Sequence, residues 1–498
     1  MLALHFGSDK APNAGILTAD SHPHDDLQPP GRPEAFTTGD DRSVSPARKL
    51  HWTPVYPPWR HGPARDHTEQ KGPGATVNEA KKPIITRAPL FQGEALLALF
   101  LLMAVLFYPG QLLASGFILY NQDAKANGMA TAVTSSIDNP SAIFYNPALL
   151  PDQPGFGVSI NDTMVMLSRT FKDATTGTTA DLKPVTHNVP SLFAAYTRDR
   201  LSLGIGVYAP FGLSADWGRT WVGRYSSTFS QLGATFVTPT VAYKFNDRVS
   251  VGLGVSYVDS SVRIQRAIPF TPYPDGEAKL SGDGSGVGAN AGIAVKLPQD
   301  YTLSFTARSP VNIKYHGNAD FYTPNDALFK TLLPQLRDTN ASTTIVMPWQ
   351  MTAGLAKKIG PLTLETDVTY LGWSTIDHYT AHFSDGRPPV TYLKDWQNAF
   401  SFAIGANYKF SPSFEAQLGY MYDMSPVPQR TMTPDLPDAQ KQLVTGGIGY
   451  RRGPFKANLA YQATFFNKVS SVGNTVGAPQ GTYDQSIQVI LFTVSFTK

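Results

Sequence analysis

The sequence has no cysteine, which excludes disulfides, thiolate-bound zinc and thiol nucleophiles, and suits a chain that crosses an oxidising compartment unfolded. Charge is scarce: Asp, Glu, Lys and Arg make up 16% of the 498 residues, little for a soluble enzyme. The net charge of +3 is scattered, so there is no basic stripe of the kind nucleic acid requires. Long apolar runs are also missing, with one exception at residues 95–114, so the chain does not look like a helical membrane protein. What it does have is 42 Gly, 28 Phe, 22 Tyr and 7 Trp at a slightly negative mean hydropathy. That mixture is expected when alternate residues of many strands face lipid and a lumen.

The apolar run ALLALFLLMAVLFYPGQLLA is followed at once by Ala114, Ser115 and Gly116, with Lys81, Lys82 and Arg87 upstream. Residues 87–114 therefore read as a secretory signal cut near Ala114, the alternative being a membrane anchor helix. Residues 1–86 hold 12 of the 40 Pro and 6 of the 10 His and show no sustained periodicity, so they are expected to be disordered. His22, His24, His61 and His67 sit in Pro-broken coil, and no metal or other cofactor is expected there or elsewhere. A secretion signal behind such an extension suggests a reading frame begun too far upstream.

From residue 156 onward, runs of about ten alternating residues are separated by turns. Leu201, Leu203, Ile205 and Val207 alternate with Ser202, Gly204 and Gly206, and Val249 to Tyr257 alternate with Ser250, Gly252, Gly254 and Ser256. Glu365 and Asp367 in one run, and Glu415 and Gln417 in another, suggest a watery interior. Strand starts fall near residues 156, 190, 201, 232, 248, 286, 301, 344, 361, 396, 413, 441, 454 and 483, which predicts an all-β transmembrane antiparallel β-barrel of about fourteen strands over 156–498. Short turns such as Asp199-Arg200 and Gly360-Pro361 alternate with long connections. Short turns belong to the periplasmic side, which puts the long loops outside the cell. Residues 267–285 read as a short polar outer loop. A soluble β-sandwich would not predict this alternation of connections.

Residues 115–155, rich in small side chains and lacking strand alternation, form a preface that a simple porin does not have. Ser115-Gly116-Phe117, Asn146-Pro147-Ala148, PFGLSADWGRTWVGRY (210–225), TPTVAYKF (238–245), GYMYDMSPVP (419–428) and PDLPD (434–438) occur in order across 115–498. In these segments the chain closely resembles the FadL family of outer-membrane long-chain fatty acid and hydrocarbon transporters. The resemblance implies that 115–155 is a hatch (plug) filling the lumen. It further implies that Asn146 to Ala148 lie against an inward kink of the third strand, where missing ladder opens the wall. The sequence supports the kink independently: Ala209, Pro210, Phe211 and Gly212 interrupt a strand, and Pro cannot donate to a ladder. Broken backbone at membrane depth must lie against protein or water, and the hatch end is the expected partner. The alternative is that Pro210 merely ends the strand.

A lumen for hydrophobic cargo needs an apolar pocket with few oriented polar groups. On the fifth strand the inward positions become Val258, Val262 and Ile264 and end at Arg266, where a guanidinium could hold a carboxylate. The resemblance implies a ligand-facing Arg there and a second cation after the Trp-Ser of the ninth strand. The matching residue is Thr380, which shifts the expectation from fatty acids toward aromatic or aliphatic hydrocarbons. His378 is the nearest substitute, although alternation points it outward unless Gly372 bulges. In the outer connection, Leu328, Phe329, Leu332, Leu333 and Leu336 recur at helical spacing, as a capture groove or a lid. The expected function is passive uptake of a hydrophobic small molecule by a monomeric protein of the Gram-negative outer membrane, released sideways at the third strand. Lipopolysaccharide, outer-membrane lipid and the barrel-assembly machinery are its expected partners. A general porin for polar solutes is the alternative. An enzyme built on Ser374, Asp377 and His378 is disfavoured, because neighbouring strand residues face opposite ways and Asp377 should not reach His378.

Overall fold

The computed structural model describes residues 116–498. The front extension, the signal segment 87–114 and Ser115 lie outside the described residues. The wall has fourteen antiparallel strands. In chain order they are β1 (Gly155–Asp173), β2 (Thr186–Arg198), β3 (Leu201–Asp216), β4 (Phe229–Lys244), β5 (Val249–Phe270) and β6 (Tyr273–Leu297). Two interrupted strands follow, β7 (Tyr301–Arg308 and Val311–Tyr322) and β8 (Thr339–Met347 and Gln350–Ile359). The series ends with β9 (Leu362–Leu371), β10 (Ala399–Lys409), β11 (Phe414–Asp423), β12 (Lys441–Arg452), β13 (Phe455–Phe466) and β14 (Gly481–Thr497). The barrel closes where β1 pairs with β14, from Gly157 opposite Thr497 to Asp173 opposite Gly481. Closure pairs the first strand with the last, so neither end of the sheet is left as an edge to face lipid.

The alternation read from sequence sorts the side chains between the two faces. Leu203, Leu253 and Ile448 are 56%, 59% and 63% exposed on the outside, while Ser202, Ser256 and Thr445 are buried inside. Short turns bend through left-handed residues, Gly360 and Gly453 at φ +58° and +59° and Asp199 at φ +56°, a conformation Gly adopts without strain and Asp tolerates.

One expected loop is a hairpin. β5 runs on to Phe270 and β6 begins at Tyr273, with Arg266 opposite Ala278 and Ile268 opposite Gly276. The segment 267–285 hid this because a hairpin with both faces outside the lipid needs no apolar alternation.

Inside lies the hatch, with α1 (Ala124–Gly128), α2 (Ala142–Tyr145) and a 3₁₀ turn (Pro147–Asp152). The interior carboxylates hold it in place rather than facing open water. Asp367 accepts the backbone N–H of Val133 and Thr134 at 3.2 and 3.1 Å and the Thr134 hydroxyl at 2.6 Å, and Glu365 accepts the N–H of Ser135. Lys125 and Asp138 of the hatch, 2.8 Å apart, join Glu415 of β11 and Lys456 of β13, themselves 2.7 Å apart, in one buried cluster. The small residues of β5 make room for the hatch, since a Cβ on Gly252 would lie 2.5 Å from the Pro147 carbonyl carbon.

Candidate functional site: a wall gap beneath a cationic cavity

β3 pairs with β2 only as far as Val207 opposite Leu192. It then bulges: Tyr208 is opposite Phe236 and Phe211 opposite Ala234, so Ala209 and Pro210 together face one residue of β4. Pro210 therefore lies inside a continuing strand and does not end it. Beyond Val207 the β2-facing edge of β3 pairs with no wall strand among the described residues, and the wall is open there until Lys183 N–H meets the Asp216 carbonyl at 2.9 Å.

The hatch covers this edge, but through its beginning rather than its end. Leu119 N–H donates to the Pro210 carbonyl at 2.8 Å, Gly212 N–H donates to the Phe117 carbonyl at 3.1 Å, and Ile118 forms an isolated bridge with Phe211. Gln122 Nε2 donates to the Ala209 carbonyl at 3.0 Å. Asn146 instead caps the 3₁₀ turn, its side-chain oxygen accepting Ala148 N–H at 3.0 Å while its amide donates to the Thr134 carbonyl at 2.7 Å. Asn146, Pro147 and Ala148 pack on Gly252 and Gly292 of β5 and β6. The Phe117 ring sits among Phe211, Trp373 and Trp396 at centroid separations of 5.9, 4.9 and 5.8 Å. Gly116 N–H is held by Asp438 at 2.9 Å.

Above this plug is a cavity of about 250 Å³ lined by Ile264, Arg266, Tyr379, Tyr392, Lys394 and Asp435 among others. A narrow apolar slot of about 50 Å³ adjoins it, lined by Val262, Ile264, Leu280, Tyr315, Ile345 and Tyr392 among others. Val262, Ile264 and Arg266 thus line the site, whereas Val258 is wholly buried and lines neither space. The Arg266 Nε is buried and has no hydrogen-bond partner among the described residues. Lys394 Nζ is 3.0 Å from Asp435 and 2.9 Å from the Thr433 hydroxyl. Burial pushes the Asp435 carboxyl up, but the Lys394 ammonium and the Thr433 hydroxyl outweigh it and hold the group below the usual carboxylate range. Two cations and one carboxylate leave a net positive charge and a guanidinium with unused donors.

Thr380 and His378 do not supply the second cation. Both line a groove on the outer face of the wall, with His378 53% exposed. His378 Nδ1 lies 2.9 Å from an Asp377 carboxylate oxygen, contrary to the expected separation, because the strand begins at His378 and alternation does not govern Asp377. Ser374 stands apart in a 3₁₀ turn, where its N–H donates to Asn398.

The outer helix α3 (Asp326–Leu332) has two faces. Phe329 and Leu333 pack with Leu336 on Phe270 and Phe321, with the Phe270 and Phe329 rings 4.6 Å apart, while Leu328 and Leu332 are 41% and 65% exposed.

Residues 105–497 match the family described as outer membrane protein transport protein (OMPP1/FadL/TodX). The chain belongs to this family. A long-chain fatty acid transport protein from Salmonella typhi is 25% identical over 381 residues, covering 70% of this chain and 87% of the relative. An outer membrane protein from Neisseria meningitidis is 27% identical over 401 residues, covering 71% and 86%. Among solved structures, a Pseudomonas aeruginosa FadL homologue superposes at TM-score 0.68 and 20% identity, covering 77% of this chain and all (100%) of the homologue. The Pseudomonas putida toluene transporter TodX superposes at TM-score 0.60 and 18% identity, covering 76% and 98%. Membership makes this an outer-membrane transport barrel.

Two family segments recognised in the sequence meet in space in this FadL-family protein: the Trp217 indole N–H donates to the Pro434 carbonyl at 3.0 Å. Lys394, Asp435, Tyr379 and Tyr392 were not found by sequence reasoning. Tyr379, Tyr392 and Lys394 lie in or next to a short hairpin, His378–Phe383 with Val390–Leu393, that joins the wall only at His382 and Phe383, and Asp435 lies in the connection between β11 and β12, so no wall register predicted which side chains would reach the lumen.

Proposed function

We propose that this protein takes up a hydrophobic compound bearing a carboxylate, of the long-chain fatty acid kind, and releases it sideways through the gap beside β3. The observation that carries the proposal is the convergence of Arg266 and Lys394 on one cavity next to an apolar slot. A guanidinium with free donors suits a planar carboxylate, and the slot suits the first part of an alkyl chain. Curated relatives bearing the name long-chain fatty acid transport protein support this cargo.

Ligand is captured at the exposed leucines of α3, moves to the cavity, and leaves when Phe117 to Leu119 withdraw from β3. Sideways release keeps the chain out of water, which would otherwise cost about 0.8 kcal/mol per CH₂ re-exposed. In this account the mature protein starts at Ser115 after cleavage behind Ala114, and the chain acts as a passage and not as a catalyst. The dense hatch counts against a general porin. A second reading, uncharged aromatic hydrocarbons, is favoured by the apolar lining of the slot and by the toluene transporters of the same fold.

Uptake separates the two. Arg266→Gln in cells should lower uptake of radiolabelled oleate roughly ten-fold or more, the loss of one charge-assisted hydrogen bond of about 1.5–3 kcal/mol, and leave toluene uptake unchanged. Equal uptake of oleate by the variant and the parent would remove the carboxylate from the account.

A further inference from the structure

The wall is interrupted a second time, between β8 and the ninth strand's outer extension. Below, Gln350 pairs with Leu371 and Gly372 N–H donates to the Trp349 carbonyl at 2.9 Å. Above, Ala341 pairs with Phe383 and Ser342 with His382, and Ser384 N–H donates to the Asn340 carbonyl. Between these two anchorages, Thr343 to Met347 have β7 on one side and no ladder on the other. Among the described residues only a long hydroxyl contact, Thr375 Oγ1 to the Val346 carbonyl at 3.5 Å, crosses the opening. The chain facing it turns inward as a 3₁₀ helix (Trp373–Thr375), which buries Trp373 fully. Before the chain reaches β8, His378 to Ala381 pair with Val390–Leu393.

Cavities lie on both sides of this eye. Outside is a groove of about 450 Å³ lined by Lys314, His316, Thr344, His378 and His382 among others. Inside is the apolar slot. The two share Tyr315, His316, Ser342, Thr343 and Tyr379. Tyr379 also lines the Arg266 cavity, its ring stacks on Tyr392 at 4.9 Å, and Lys394 Nζ lies 5.7 Å from its centroid. Buried at the same place, the Thr343 hydroxyl has no hydrogen-bond partner among the described residues. Among the described residues Tyr379 is the one that lines all three spaces: outer groove, apolar slot and cationic cavity.

The groove has a defined height. Trp349, Tyr370 and Phe400, with centroids 4.8 and 5.0 Å apart in sequence, form an aromatic cluster directly below it, beside Ile404 on the lipid face. Aromatic girdles mark the membrane interface, so the groove opens just above the hydrocarbon of the outer leaflet. Lys314 and three imidazoles surround its mouth, and the nearby carboxylates are Asp377, engaged by His378, and Asp283, opposite His316 on the neighbouring strand. A carboxylate head moving along the membrane surface meets cationic and hydrogen-bonding groups first and an apolar slot next.

We propose that the opening between β8 and His378–Phe383 is a side door, closed by Tyr379, through which an amphipathic long-chain carboxylate passes from the membrane surface to the Arg266 cavity. This rests on the carboxylate cargo proposed above. Cargo arriving along the membrane surface would then enter at one wall opening and leave at another, a route that complements capture at α3.

The absence of native cysteine allows a direct test. Thr344 is exposed in the groove and makes no side-chain hydrogen bond among the described residues, so Thr344→Cys in the otherwise unchanged chain can be labelled after folding with a bulky maleimide. Ser168→Cys, exposed on β1 across the barrel, is the labelled control. Binding of a fluorescent long-chain fatty acid to protein reconstituted in vesicles is followed by stopped flow and at equilibrium. The labelled Thr344 position should slow association at least five-fold with Kd unchanged, and Tyr379→Ala should speed association. Association at the control rate in the labelled Thr344 protein overturns the door while leaving the carboxylate cargo standing. No binding by the unmodified protein overturns both.

Discussion

Leu119 gives its backbone N–H to the carbonyl of Pro210 at 2.8 Å, so the start of the hatch serves as a removable strand for the unpaired edge of β3. Edge groups left bare beside lipid would each cost several kcal/mol, so the edge is stable only while the hatch or a ligand covers it. The bulge depends on one extra residue. Deleting Pro210 should restore regular pairing with β4 and let β3 run straight against β2. The expected outcome is a folded, heat-modifiable barrel whose oleate uptake has fallen at least ten-fold. Normal uptake through a straight β3 would end the case for release at this point.

The hatch is held by buried charge. Removing one member of a buried ion cluster strands its partners, typically at 3–5 kcal/mol. Lys125→Met leaves Asp138 and Glu415 with Lys456 alone, and should loosen the hatch by about 3 kcal/mol without unfolding the barrel. Planar bilayers give the readout: the parent should be nearly non-conducting, and the variant should show frequent openings. An unplugged conductance in the parent itself would favour a porin.

Asp435 takes up part of the cationic charge of the cavity. Asp435→Asn should free the Lys394 ammonium for the ligand and tighten binding of a long-chain carboxylate roughly ten-fold, in line with one charge-assisted hydrogen bond of about 1.5–3 kcal/mol. Calorimetry on purified protein measures this. Weaker binding would mean that Asp435 positions Lys394 instead of competing for it.

Leu328 and Leu332 contact solvent while Phe329 and Leu333 pack inward, so the two pairs can be separated by mutation. Changing both exposed leucines to Ser should reduce the rate of uptake at low ligand concentration with little change in thermal stability. Changing Phe329 to Ser should lower stability by about 1–3 kcal/mol, because it removes a packed aromatic.

Much of this was legible in the sequence, and the limits were physical. Strands that bury one face and show the other to lipid announce themselves by alternation, so starts at residues 201, 301 and 441 were found to the residue. The outer hairpin of β5 and β6 was missed because neither of its faces meets lipid. Pro210 marked the bulge, but the strand that covers it is set by long-range pairing with Phe117 to Leu119, which no local pattern encodes. Arg266 could be placed by counting along β5. Lys394 could not, because it follows a hairpin that joins the wall only at His382 and Phe383.

The most direct test of the carboxylate cargo compares a long-chain fatty acid with its methyl ester, equal in chain length but without charge, in equilibrium binding to the purified protein. Arg266 and Lys394 predict that the acid binds at least ten-fold more tightly, and that Arg266→Gln removes most of the difference. Equal affinity for acid and ester in the parent protein would contradict the account.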